Sequence, residues 1–176
     1  MNNLAKMLNW GPVLQIRRNH ALEHATLQLL SNLQAEQNRP SRLAGYSDAK
    51  GFWIFGKVET DVLVSAAEQA RQRLLKGDRS LAVHPTCGTN YVVSGIIAGT
   101  LVWLGTLFGG RTFRARAERL PMIIALVTLG LLTAAPIGPV VQSALTTEAQ
   151  LGGLEITGVL RQVRQGMIVH RILTNG

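Results

Sequence analysis

Leu120–Val141 reads LPMIIALVTLGLLTAAPIGPVV, and this stretch decides the class of the chain. No charged residue interrupts the sequence from Leu120 to Thr147. A helix of about 20 apolar residues matches the hydrocarbon thickness of a bilayer, so the run is long enough to span one. Upstream, a second uncharged stretch extends from Ser80 to Gly110, with VVSGIIAGTLVWLGTLF (residues 92–108) as its body. Two such runs in a chain of 176 residues predict an integral membrane protein with a two-span hairpin rather than a soluble protein with two buried helices.

Within these spans, Gly95 with Gly99 and Gly105 with Gly109 have the small-x-x-x-small spacing that lets helix backbones approach in lipid. Pro136 and Pro139 predict a break or kink at the end of the second span. Neither span holds an ionisable residue, which argues against a proton or ion pathway.

Outward from the hairpin, the pattern becomes that of a small α+β domain. Residues 13–37 have helical composition, with Leu14, Ala21, Ala25, Leu29 and Leu33 on one stripe. The segment Asn38-Arg39-Pro40-Ser41 ends that helix. Two strands follow at 41–47 and 51–58, where Phe52 and Ile54 alternate with Trp53 and Phe55. A second helix begins at Thr60 or Asp61 and stops at Gly77, its stripe being Val62, Leu63, Ala66, Ala70 and Leu74. Leu81-Ala82-Val83 reads as a short strand. Residues 154–163 and 167–173 read as a strand pair about Arg164-Gln165-Gly166. The expected order is α-β-β-α-β, membrane hairpin, β-β. Residues 1–90 form the N-terminal part, 91–142 the hairpin, and 143–176 a strand pair packing back on the N-terminal part. The first residues, including Leu4, Met7, Leu8 and Trp10, lack the compact apolar core of a secretory signal; they fit a short surface helix at a membrane or in water.

The net charge of +8 is carried by basic residues in ones and twos, without a long run or aromatic interleaving. That pattern suits anionic lipid headgroups and not nucleic acid. The expected partners are the lipid bilayer and a second copy or another membrane protein. The single cysteine, Cys87, excludes an internal disulfide. Four arginines in the loop 111–119 draw that loop to the cytoplasm, whereas Arg71, Arg73, Lys76 and Arg79 crowd the opposite end of the first span. A lone thiol favours the soluble part in the cytoplasm.

The chemistry gathers at His20-Ala21-Leu22-Glu23-His24, an H-x-x-E-H motif on a helix. Histidines four apart share one helical face, one turn from each other, which suits two ligands of one metal ion. Glu23 beside them would take a proton from a metal-bound water. The plainer alternative is a polar helix face with Glu23 paired to Arg17, Arg18 or backbone. A second cluster, His84-Pro85-Thr86-Cys87-Gly88-Thr89-Asn90, precedes the first span. Imidazole and thiolate are both zinc ligands, so His20, His24, His84 and Cys87 make four. Four protein ligands give a closed structural site; three with water leave Glu23 something to activate, as in a zinc hydrolase. Glu59, Glu68 and His170 are the further candidate ligands. Cys87 near a helix start is also a candidate thiolate nucleophile or a plain packing residue.

The segments N-H-A-L-E-H-A and H-P-T-C-G-T-N, followed by two hydrophobic runs, resemble a family of small two-span bacterial membrane proteins of unknown function. Taken alone, H-x-x-E-H is similar to the inverzincin motif of pitrilysin-type zinc peptidases, and that resemblance implies zinc with Glu23 as general base. The likeness ends at five residues. Those enzymes take a third ligand from a glutamate well downstream, which has no counterpart here in a similar context.

Overall fold

The computed structural model describes residues 3–38, 42–107, 112, 114, 117–164 and 166–176. Expectations that fall on residues 39–41, on most of the loop 108–116 including Gly109, and on Gln165 lie outside the described residues. The chain divides into two compact units, Met1–His84 with Ser143–Gly176, and Pro85–Gln142.

In the first unit, helix α1 (Asn3–Leu8) precedes α2 (Gly11–Glu36). Pro12 sits in the first turn of α2, where a missing N–H costs nothing. Asn38 ends it with a left-handed φ of 51°, a conformation asparagine tolerates after a helix. Strands β1 (Ala44–Asp48) and β2 (Gly51–Phe55) form a tight hairpin, and α3 (Thr60–Leu75) follows. After the second unit the chain returns as β3 (Glu155–Arg164) and β4 (Met167–Asn175). The result is a mixed α/β fold with one four-stranded antiparallel sheet in the order β1-β2-β4-β3. The two sequence-distant hairpins therefore join through β2 and β4, where Phe52 pairs with Ile172 and Ile54 with His170.

Side chains alternate across a strand, so Phe52, Ile54, His170 and Ile172 share one sheet face, and all four are fully buried. They meet Ala21, Leu22, Ala25 and Leu30 of α2 and Leu63, Ala66, Ala67 and Ala70 of α3 in one core. Leu151 and Leu154, on the loop leading into β3, close it. Residues 21–27 of α2 are all buried, on every side of the helix. That is why its apolar stripe reads wide in the sequence: α2 is a central helix with no solvent face over those two turns.

Leu81-Ala82-Val83 is not a strand. Arg79–Ala82 is a 3₁₀ turn, and the carbonyls a ladder would use are taken by side chains of α2. Gln28 Nε2 donates to Leu81 O (3.0 Å) and Val83 O (2.9 Å). Tertiary hydrogen bonding overrides the local apolar signal here.

The second unit contains α4 (Gly88–Thr106) and α5 (Leu120–Val141). Leu120–Thr146 runs for 27 residues at a mean hydropathy of 2.2, which is long and apolar enough to cross a membrane. Among the described residues it is the one helix that meets that standard. The other expected span, α4, is shorter, at 19 residues, and its first turn carries Thr89, Asn90 and Tyr91. Pro136 and Pro139 lie inside α5 and do not end it; the helix runs on into a π-helical turn at Gln142–Thr146. Contact between α4 and α5 also departs from the expected glycines. A Cβ added at Gly95 or Gly99 would meet nothing within 4 Å. A side chain at Gly130 would strike the backbone of Ala98, one at Gly138 would strike Asn90, and one at Gly105 would strike Leu126. The close approach belongs to Gly130, Ala134 and Gly138, one ridge of small buried residues four apart. Gln142 Nε2 donates to Asn90 Oδ1 (2.6 Å) at its end.

Candidate metal centre

Helix α2 brings His20 and His24 onto one face, with ring centroids 4.2 Å apart and the planes at 62°. The 3₁₀ turn after α3 delivers His84, whose ring lies 5.6 Å from that of His24. Two imidazoles on one tetrahedral zinc, each about 2.0 Å from the ion, hold their ring centres about 5 Å apart, so these spacings suit a shared ion. Both motif rings are oriented from behind. Nδ1 of His24 donates to the carbonyl of Ala82 (2.8 Å), and Nδ1 of His20 to that of Thr146 (3.0 Å). A carbonyl only accepts, so each Nδ1 carries a proton, and Nε2 is the ring atom left for a metal. Histidine ligands of metals are held this way, by a backbone carbonyl on the second nitrogen.

Glu23 turns to the sheet. It is 4 % exposed, and Ser47 Oγ of β1 donates to its Oε2 (2.5 Å). Gly45 makes room for it, since any side chain there would overlap the Glu23 carboxylate. The arginines proposed as its plain partners are engaged elsewhere. Arg17 is 7 % exposed. It donates to Ala144 O (3.2 Å) and Thr147 O (2.9 Å) and faces Glu148 at 3.6 Å. Arg18 donates to Gln150 O (3.1 Å). Asn19, fully buried, donates to Asp48 O (2.8 Å) and accepts from Thr174 Oγ1 (2.7 Å).

Together these contacts give the segment Arg17–Gln28 a second property. The chain leaves the first unit after His84 and re-enters it at Ser143. Carbonyls at the exit (Leu81, Ala82, Val83) are held by His24 and Gln28, and carbonyls at the re-entry (Ala144, Thr146, Thr147) by Arg17 and His20. The sequence signals this only as an unusual density of polar residues in an otherwise apolar helix.

Cys87 lies in the second unit, three residues beyond His84, as the N-cap residue of α4. Its Sγ donates to Thr89 Oγ1 (3.5 Å). The other candidate ligands have their own partners. Glu68 binds Arg71 (3.0 Å) and Gln72 (2.8 Å), and the Arg71 bond holds its carboxyl below the usual range. Glu59 is the N-cap residue of α3. His170, fully buried on the inner sheet face, shares a hydrogen bond between Nε2 and Thr60 Oγ1 (3.0 Å). Burial pushes its pKa below 6.5, Arg161 adds to the effect, and Glu59 opposes it.

Known proteins share most of this span. The model of DUF6391, a domain of unknown function, matches residues 15–159. An uncharacterized protein of Picosynechococcus sp. is 37 % identical over 115 residues, covering 58 % of this chain and 56 % of that protein. The chain thus spans just over half the length of that relative. No solved structure matches it.

Proposed function

Because the chain belongs to the DUF6391 family, we propose its role from its own geometry: a membrane protein whose soluble unit holds a structural zinc ion through His20, His24 and His84. The observation that supports this reading is the pair of Nδ1–carbonyl bonds, which leave Nε2 of each motif histidine as the atom that would ligate, on one helix face. The H-x-x-C spacing after His84 supplies Cys87 as the fourth ligand, by sequence alone. Such an ion fastens α2 to the segment that leads out of the soluble unit. The protein then acts as an assembly or interaction factor in the membrane, not as an enzyme.

The membrane part of the proposal is a hairpin of α4 and α5 with the soluble unit in the cytoplasm. Only 11 % of the most apolar stretch of Leu120–Thr146 is buried. Tyr91, Val92, Ile96 and Trp103 of α4 are each more than 60 % exposed. Water would penalise such surfaces and lipid would not. At 1.5 Å per residue, α4 reaches about 28 Å, close to the hydrocarbon thickness.

A second reading, hydrolysis with Glu23 as general base, is favoured by one observation: the carboxylate is buried and oriented by Ser47. Glu23→Gln separates the two. The structural reading expects retained zinc and no loss of any activity; the hydrolytic one expects retained zinc and lost turnover of a membrane-proximal amide.

Elemental analysis of protein purified in mild detergent tests the site. About one zinc per chain is expected for four ligands, and its loss in His20→Ala/His24→Ala. Metal-free wild-type protein, purified without chelators, would overturn the proposal.

A further inference from the structure

The end of the β3–β4 hairpin carries exposed residues on both faces that the metal site does not use. Leu160, Val163 and Met167 are 50 %, 61 % and 52 % exposed. Arg164 shares one face with Leu160 and Met167, and Arg161 shares the other with Val163; both arginines are exposed. Among the described residues neither has a carboxylate within ion-pair distance. Arg164 donates to Gln162 Oε1 (3.2 Å), and its guanidinium lies 5.6 Å from the Trp53 ring centre. Arg171 of β4, paired with Leu160 and Trp53, lies 4.9 Å from the same ring, but Asp48 neutralises it at 2.7 Å. The indole thus positions one compensated and one uncompensated cation, and the net charge of the hairpin is positive.

We propose that the end of the β3–β4 hairpin, with Leu160, Val163 and Met167 flanked by Arg161 and Arg164, docks on the headgroups of an anionic bilayer. Charge complementarity selects an anionic surface. The exposed side chains between the cations are aliphatic or thioether, suited to the acyl boundary. Single-stranded nucleic acid would need open aromatic faces for base stacking, whereas the indole here stacks on two guanidiniums. The inference rests on the reading that Leu120–Thr146 lies in a bilayer, which keeps the soluble unit tethered beside that bilayer.

Hydrogen exchange on the full chain tests it, in nanodiscs of phosphatidylcholine alone and of phosphatidylcholine mixed with phosphatidylserine. Amides of Leu160–Arg164 should exchange roughly tenfold more slowly in the anionic discs, the order expected for two arginines at such a surface. The difference should vanish in Arg161→Gln/Arg164→Gln while β2 and α2 keep their protection, which shows that the variant is folded. Equal exchange in both discs, or an anionic effect that survives the double variant, overturns the proposal. So does arginine-dependent binding of a labelled single-stranded oligonucleotide without any lipid effect. Extraction of the chain by alkaline carbonate would instead defeat the membrane-span reading; the same exchange comparison on neutral and anionic liposomes would still decide the docking surface.

Discussion

Helices α2 and α5 are similar in length, at 26 and 22 residues, and are built inside out relative to each other. Helix α2 buries Arg17, Asn19, Glu23, His24 and Thr26. Helix α5 exposes leucines, isoleucines and valines and buries only Gly130, Ala134 and Gly138. Buried polar groups are tolerated when each is hydrogen-bonded, because an unmet donor or acceptor loses its water without compensation. Exposed aliphatic surface is tolerated when the surrounding medium is itself apolar. On the proposed membrane reading, the two helices therefore face two solvents. One is fitted to a protein interior whose stability lies in directed bonds, the other to contacts made by shape alone.

If that contrast is right, the largest effect comes from Arg17→Ala. It removes a guanidinium, 8 % exposed, that bonds the re-entering chain at Ala144 and Thr147 and faces Glu148. Losing this buried donor and its ion pair should destabilise the soluble unit by about 3 kcal/mol. The denaturant midpoint of the sheet, followed by circular dichroism in mild detergent, reads this out. A loss under about 1 kcal/mol would mean that α2 does not depend on its buried polar bonds.

Helix α5 offers the matching test by steric means. Gly130→Leu forces a side chain into the Ala98 backbone. Overpacking of this kind costs about 1–3 kcal/mol and should lower thermal stability while leaving zinc content as in the wild type. An unchanged melting temperature would sink the assigned contact between α4 and α5.

A smaller effect follows from His170. Its folded pKa lies below the unfolded value, chiefly through burial. The unfolded chain therefore binds the proton more tightly, so the stabilising share of the neutral ring is complete above pH 6.5. It is lost as pH falls below that value towards the depressed folded one. Subtracting the pH–stability curve of His170→Gln from that of the wild type should isolate this loss. Parallel curves between pH 7 and 5, about the range where histidine titrates, would remove it.

These two regions also explain what the sequence discloses. Strand β2 is legible because Phe52 and Ile54 alternate with Trp53 and Phe55 and the whole period lies within five residues. Helix α3 is legible for the same reason: Leu63, Ala66, Ala70 and Leu74 are its buried stripe. The motif histidines share a face by spacing alone. Their anchors do not follow from spacing, since Ala82 and Thr146 lie 58 and 126 residues away. Distant side chains likewise hold the carbonyls of Leu81–Val83, where an apolar strand pattern gives way to the end of a 3₁₀ turn. In the apolar unit the difficulty has another source. Small residues four apart occur in several registers, and only the partner helix selects one; Gly95 and Gly99 carry the more familiar spacing yet stand away from α5.

Gly95→Leu is therefore the sharpest control in the comparison, and the smallest effect. Nothing lies within 4 Å of the added Cβ, and a leucine gains helix propensity over glycine by up to about 1 kcal/mol. In detergent the variant should melt within a few degrees of the wild type, at or slightly above it, where Gly130→Leu melts clearly lower. A substantial loss at Gly95 would show that this face of α4 is packed after all. The contrast between a helix held by directed bonds and a helix pair held by one small-residue ridge would then need a second ridge.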